Sequence, residues 1–181
     1  TKHANGVEAK ESSETSEAIS HPSTPPPLVW RNVPLESWSP EHGDQLLIDV
    51  ERNVGTIVHQ NGEALSFPVI TGQKRTVIYI GLRYKAETPK KSWTALSLDT
   101  QGDRITYGSS GRFLRLYDGR TRTHYGIHAH RDEKIMFERD DRYQSMGCVI
   151  VEEQILNLLQ KTFETNGGSL YVRTYGEDVP M

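Results

Sequence analysis

The sequence contains one cysteine, Cys148, in 181 residues. A single thiol cannot close a disulfide within the chain, so no cystine framework holds this fold together. Such a cysteine is either a small buried hydrophobe or a reactive group. Positive charge is not in excess either. The formal net charge is −3, which excludes the basic field that nucleic acid requires. No apolar run reaches the ~18 residues of a spanning helix, and no signal-peptide pattern is visible. The start at Thr1 rather than Met fits a signal or anchor segment upstream of residue 1. His124, His128 and His130 could join Cys148 around zinc, but no Cys-x-x-Cys or His-x3-His spacing supports a closed site. Neither a metal nor a cofactor is expected.

Large apolar side chains are nearly missing from residues 1–20, where Glu, Ser, Thr, Lys and Ala dominate. That composition cannot bury enough surface to offset chain entropy. Pro22-Ser-Thr-Pro-Pro-Pro27 adds polyproline stiffness. Residues 1–27 therefore read as a disordered linker or stalk. Residues 28–181 read as one domain, long enough for a single core, with Leu28, Trp30 and Trp38 marking where the chain docks.

Helical periodicity is scarce as well. Only Ile155, Leu158, Leu159 and Phe163 recur at helical spacing, closed by Asn166-Gly167. A weaker helical turn is expected over 133–138. The rest, from residue 44, is rich in β-branched and aromatic residues bounded by Gly, Asn and Pro. The expected fold class is mainly β, a sandwich of mixed sheets, with one clear helix after Cys148.

What is present around the cysteine is chemically suggestive. Tyr125-Gly-Ile-His128-Ala-His130 precedes Ser145-Met-Gly-Cys148-Val-Ile-Val151. The two histidines stand at i and i+2, so on a strand they share a face. Gly147 permits a tight turn beside the sulfur. An imidazole that takes a thiol proton is the minimum for a cysteine nucleophile. Tyr125 and Tyr143 could donate hydroxyls nearby, although packing explains aromatics on a sheet face equally well. The charged segment 132–142 reads first as a solvated connection and second as a lid. Arg112, Arg115 and Arg120 to Arg122 could hold substrate carboxylates, or could simply alternate on an exposed strand.

Ile127-His128-Ala129 followed by Ser145-Met146-Gly147-Cys148 resembles the catalytic domain of the L,D-transpeptidases (YkuD type). Gln45 to Val50, Gly55 to His59, Asn61-Gly62 with Leu65 to Gly72, and Thr88-Pro89 extend the resemblance over about residues 44–176. Two departures stand out. The segment between Gly72 and Thr88 is long, which implies an insertion, and Ile150 stands where the family commonly carries a polar residue.

The resemblance implies a cysteine acyltransferase that cross-links or remodels peptidoglycan stem peptides through a Cys148 thioester. Catalytic roles fall to Cys148 and to His128 or His130. Local context favours His128 as the base, and spacing to the cysteine favours His130. Backbone N–H groups at Met146 and Gly147 would form the oxyanion hole, and Ser145 and Tyr125 would support the site. Carbapenem β-lactams are implied as covalent inhibitors, and an extracytoplasmic location, periplasm or cell wall, is implied too. The alternatives are a hydrolase on the same scaffold (an L,D-carboxypeptidase or amidase) and a non-catalytic wall-binding module.

Overall fold

In the computed structural model, residues 24–27 and 29–176 are described. Most of the expected linker, and Leu28, therefore lie outside the described residues. Thr24 already touches the domain, since its carbonyl accepts from Gln45 Nε2 at 3.0 Å. Trp38 is buried and stacks on His59 with ring centroids 3.8 Å apart.

The β-branched and aromatic runs form thirteen strands among the described residues. They are β1 (Arg31–Asn32), β2 (Gln45–Asp49), β3 (Val54–Val58), β4 (Glu63–Pro68), β5 (Thr71–Gly72), β6 (Thr76–Tyr79) and β7 (Leu82–Lys85). Then follow β8 (Ser92–Thr100), β9 (Arg112–Asp118), β10 (Thr121–His128), β11 (Tyr143–Ser145), β12 (Val149–Ile150) and β13 (Leu170–Tyr175). Two α-helices interrupt them, α1 (Glu133–Glu138) and α2 (Glu153–Thr165).

Nine strands make one mixed sheet in the order β1-β4-β3-β2-β13-β8-β9-β10-β12. Two antiparallel meanders, β2-β3-β4 and β8-β9-β10, are joined through β13, which runs parallel to β2 and antiparallel to β8. The mainly β expectation with one long helix holds. Strands β5 and β11 form a small parallel pair, and β6 and β7 form a separate hairpin. That hairpin occupies the segment between Gly72 and Thr88.

Helix α2 buries Ile155, Leu156, Leu158 and Leu159 in the main core cluster with Trp93, Leu114 and Ile127. At about 1.5–3 kcal/mol per large aliphatic side chain, this face contributes on the order of 6–12 kcal/mol before chain entropy is counted. The helix stops in a Schellman arrangement. Gly168 N–H reaches the Phe163 carbonyl at 2.9 Å and Gly167 N–H the Glu164 carbonyl at 3.0 Å, with both glycines at positive φ.

Arg112 pins α2 to the sheet. Its guanidinium donates to Glu153, Asn157 and Gln160 at 2.7–2.8 Å. Arg115 donates to Asp99 and to the Thr123 carbonyl. These two arginines, candidates for substrate carboxylates, are engaged in holding the fold.

Candidate active site

The end of β10 carries the histidines, and β12 lies parallel beside it, with Ile127 opposite Val149 and His128 opposite Ile150. This pairing exists because Val149-Ile150 is a short apolar strand that buries completely at the sheet edge. Cys148, immediately before β12, thereby reaches Gly126. Glycine is required there, since a Cβ on Gly126 would sit 2.3 Å from Cζ of Phe113.

The turn before the thiol is built by hydrogen bonds. Ser145 Oγ donates to the Cys148 carbonyl at 2.5 Å and accepts from Gly147 N–H at 3.2 Å. The Gly147 donor assigned to an oxyanion hole is thus engaged locally. Gly147 has φ 128°, and a Cβ there would lie 2.8 Å from Cε1 of Tyr125. Sequence reasoning missed Thr88 as a support of this turn. Its hydroxyl donates to the Gly147 carbonyl and accepts from Gly72 N–H, each at 2.9 Å. The Thr88-Pro89 pair, noted only as part of the resemblance, was the available signal.

His128 is 3% exposed. Its Nδ1 lies 2.6 Å from the Ala129 carbonyl. A carbonyl can only accept, so Nδ1 carries the hydrogen and the neutral ring keeps its lone pair on Nε2. Tyr107 meets the ring edge-on at 4.8 Å, and Phe113 stacks at 5.8 Å. Burial lowers the ring pKa to about 4, opposed by the backbone carbonyls of Ala129 and Thr106.

His130 is arranged in the opposite sense. Its Nδ1 accepts from Asp132 N–H at 3.0 Å, so in the neutral ring Nε2 bears the hydrogen and cannot take a proton. The two rings therefore differ in tautomer.

Cys148 is half-buried, but its sulfur is surrounded by protein atoms. Burial pushes the thiol up to about 11, opposed by Gly126 N–H and the Arg115 charge. The resting thiol is therefore protonated, at roughly 10⁻⁴ thiolate at pH 7 by simple titration. Its hydrogen bond runs to the His124 carbonyl at 3.8 Å.

A cavity of about 1000 Å³ joins these groups. Cys148, His124, His128 and His130 line it, with Tyr84, Tyr107, Tyr125, Met146 and Ser145. Arg83 and Lys85 line it as well, and among the described residues no carboxylate does. A smaller cavity of about 540 Å³ adjoins and shares His130, Met136 and Gln144. Helix α1, within the segment with two readings, borders both cavities through Met136.

Elsewhere, Asp44, His59 and Glu41 hold polar atoms within 4.8 Å of one another. His59 Nδ1 and Asp44 Oδ1 are 2.5 Å apart, a hydrogen-bond spacing shorter than that between two ligands around one ion.

The mainly β domain thus brings a thiol and an orientated imidazole, from adjacent strand ends of one mixed sheet, to one cavity. The L,D-transpeptidase catalytic domain (YkuD) family model matches residues 43–165, and the chain belongs to that family. It is similar to the L,D-transpeptidase of Xylanimonas cellulosilytica, at 18% identity and TM-score 0.53 over 75% of this chain and 61% of that one. It is also similar to the helical cell shape determining protein Pgp2 of Campylobacter jejuni, at 14% identity and TM-score 0.52 over 75% and 48%. A third is Bd1075 of Bdellovibrio bacteriovorus, at 15% identity and TM-score 0.52 over 75% and 48%. The likeness is one of fold, and the chain spans about half to three fifths of these structures. No curated protein matches it.

Proposed function

We propose that this chain is a cysteine acyltransferase that remodels or cross-links peptidoglycan stem peptides through a Cys148 thioester. The observation that carries the reading is the His128 ring. It is buried, fixed by the Ala129 carbonyl as the Nδ1–H tautomer, and lines the same cavity as Cys148. A base held by a third group is the general arrangement for activating a nucleophile.

Because the resting pair is neutral, the proton moves as the bond forms rather than before. His128 Nε2 takes the thiol proton while Cys148 Sγ attacks a stem-peptide carbonyl. Backbone N–H groups of the Met146-Gly147-Cys148 turn stabilise the oxyanion, each donor being worth roughly 3 kcal/mol. The Gly147 donor turns from Ser145 Oγ to do so. The imidazolium then protonates the departing amine, and the C–N bond breaks. An acceptor amine attacks the thioester, releases the thiolate and passes its proton back through the ring. Catalytic hydrogen bonds are often long in a free enzyme and tighten on binding, which suits a sulfur that rests against the His124 carbonyl.

The cavity lining supports an anionic substrate. Arg83, Lys85 and three histidines face it, without a carboxylate among the described residues, and stem peptides carry free carboxylates that cations bind. In this reading residues 28–181 are the catalytic domain and residues 1–27 a spacer. The site acts outside the cytoplasm, and carbapenem β-lactams acylate Cys148.

A thiol raised to about 11 favours a second reading, a wall-binding module without turnover. One experiment separates them. The protein is incubated with purified disaccharide-tetrapeptides, and the products are weighed by mass spectrometry. Cross-linked dimers support the transferase, tripeptides alone support the hydrolase, and unchanged tetrapeptides refute acyl transfer.

A further inference from the structure

The hairpin of β6 and β7 has two faces, and the site explains only one. Tyr79, Leu82, Arg83, Tyr84 and Lys85 line the cavity. Ile78 pairs with Arg83 across the hairpin and is 69% exposed, and Ile80 at the tip is 80% exposed. Neither isoleucine lines the cavity.

Folding does not call for these side chains. The two loop residues, Ile80 and Gly81, have φ 50° and 73°, which makes a two-residue turn of the I′ kind between Tyr79 and Leu82. That turn favours Asn-Gly, and a β-branched residue in the left-handed region is a true outlier. Ile80 thus holds a disfavoured backbone conformation while its side chain stands in water. Strain of this sort, without packing to account for it, points to a use outside the fold.

Charge identifies the use. Between Gln73 and Lys85 the sequence carries Lys74, Arg75, Arg83 and Lys85 and no acidic residue, in a chain whose net charge is −3. Arg83 and Lys85 have no ion-pair partner among the described residues. An aliphatic tip of Ile78, Ile80 and Leu82, with Tyr79 beside it and cations at the base, is matched to a surface that is anionic outside and apolar within.

We propose that the β6–β7 hairpin is a membrane-contacting element that inserts Ile78 and Ile80 into a bilayer containing anionic lipid. Arg75 meets the headgroups, while Lys74 stays paired with Glu51 at 2.7 Å and Arg83 and Lys85 stand behind it at the cavity. Because the other face of the same hairpin walls the cavity, insertion sets the cavity beside the lipid surface. The inference stands apart from the acyl-transfer reading, since lipid binding needs no thiol chemistry.

The test is flotation of the full chain with phosphatidylglycerol-containing vesicles and with phosphatidylcholine vesicles. The wild type is expected to float with the first and not with the second. Ile80→Asn and Ile78→Asn should each weaken binding about tenfold, because each removes one aliphatic anchor. Ile80→Asn also suits the turn, so its melting temperature should hold or rise, and muropeptide turnover should persist in both variants. A wild type that stays in the aqueous fraction overturns the proposal, as it would if the hairpin served a protein partner. Equal flotation of wild type and both variants overturns it too.

Discussion

The identity of the base can be tested through pH, because burial fixes where His128 titrates. With its pKa lowered to about 4, the ring is neutral and able to accept a proton across the whole range above pH 5. Acylation of Cys148 by a carbapenem, followed by mass spectrometry, should therefore rise through an inflection near pH 4 and then stay level to pH 8. A free-thiolate route would behave differently. With the thiol near 11, it would climb about tenfold per pH unit over that plateau. Replacing His128 by Gln should cost roughly 10² to 10⁴ in rate, the usual worth of a general base. Replacing His130 by Gln should cost less than about tenfold.

The same displacement bears on stability. Between pH 6.5 and 4 the unfolded chain binds a proton that the folded ring refuses, so the folded state is fully favoured above 6.5 and loses ground as pH falls. The difference amounts to about 3 kcal/mol, visible as a falling denaturant midpoint that His128→Gln should flatten. An inflection near 6.5, equal small losses in both histidine variants, or a plateau replaced by a tenfold-per-unit slope would each refute the mechanism.

Three further outcomes follow from the geometry. Thr88→Val leaves Gly72 N–H and the Gly147 carbonyl without their buried partner and should cost about 2–4 kcal/mol in urea unfolding, with slower acylation. Gly147→Ala asks an L side chain to hold φ 128° against Tyr125; the expected cost is about 1–3 kcal/mol, and Cys148 labelling should fall by more than the melting temperature alone accounts for. Arg112→Ala removes the tie between β9 and α2 and should lower stability by about 1–2 kcal/mol, while the acylation rate of the folded protein stays unchanged, because its partners are structural.

Much of the fold was legible because the signals are local. Val54 to Val58 and Arg112 to Tyr117 are β-branched, aromatic or alternating runs between turn residues, and each became a strand. Helix α2 was readable from four apolar positions and its closing glycine. The meeting of β10 and β12 was legible only through the resemblance, since no local rule brings residues 128 and 150 together. The proposed choice of base was only weakly legible, through the local context of His128. It depends on which backbone group each imidazole meets, the Ala129 carbonyl for His128 and Asp132 N–H for His130, and those contacts appear only once the chain is folded. Arg112 and Arg115 misled for the same reason, because exposed-looking alternation says nothing about Glu153 or Asp99 arriving from other elements.

The β6–β7 hairpin shows why position matters more than composition here. Read alone, Gln73 to Lys85 is a basic hairpin around an aliphatic tip, and nothing in it refers to Cys148. In the fold its base is clamped beside the turn that precedes Cys148. A Cβ on Gly72 would lie 1.8 Å from the Ala86 carbonyl, Ala86 N–H donates to the Arg75 carbonyl, and Thr88 bridges Gly72 to Gly147. Any displacement of β6 and β7 must therefore bear on the turn that carries the thiol. A hairpin that meets an outside surface through Ile78 and Ile80, and is tied at its base to Gly147, couples where the protein sits to how its cysteine is presented.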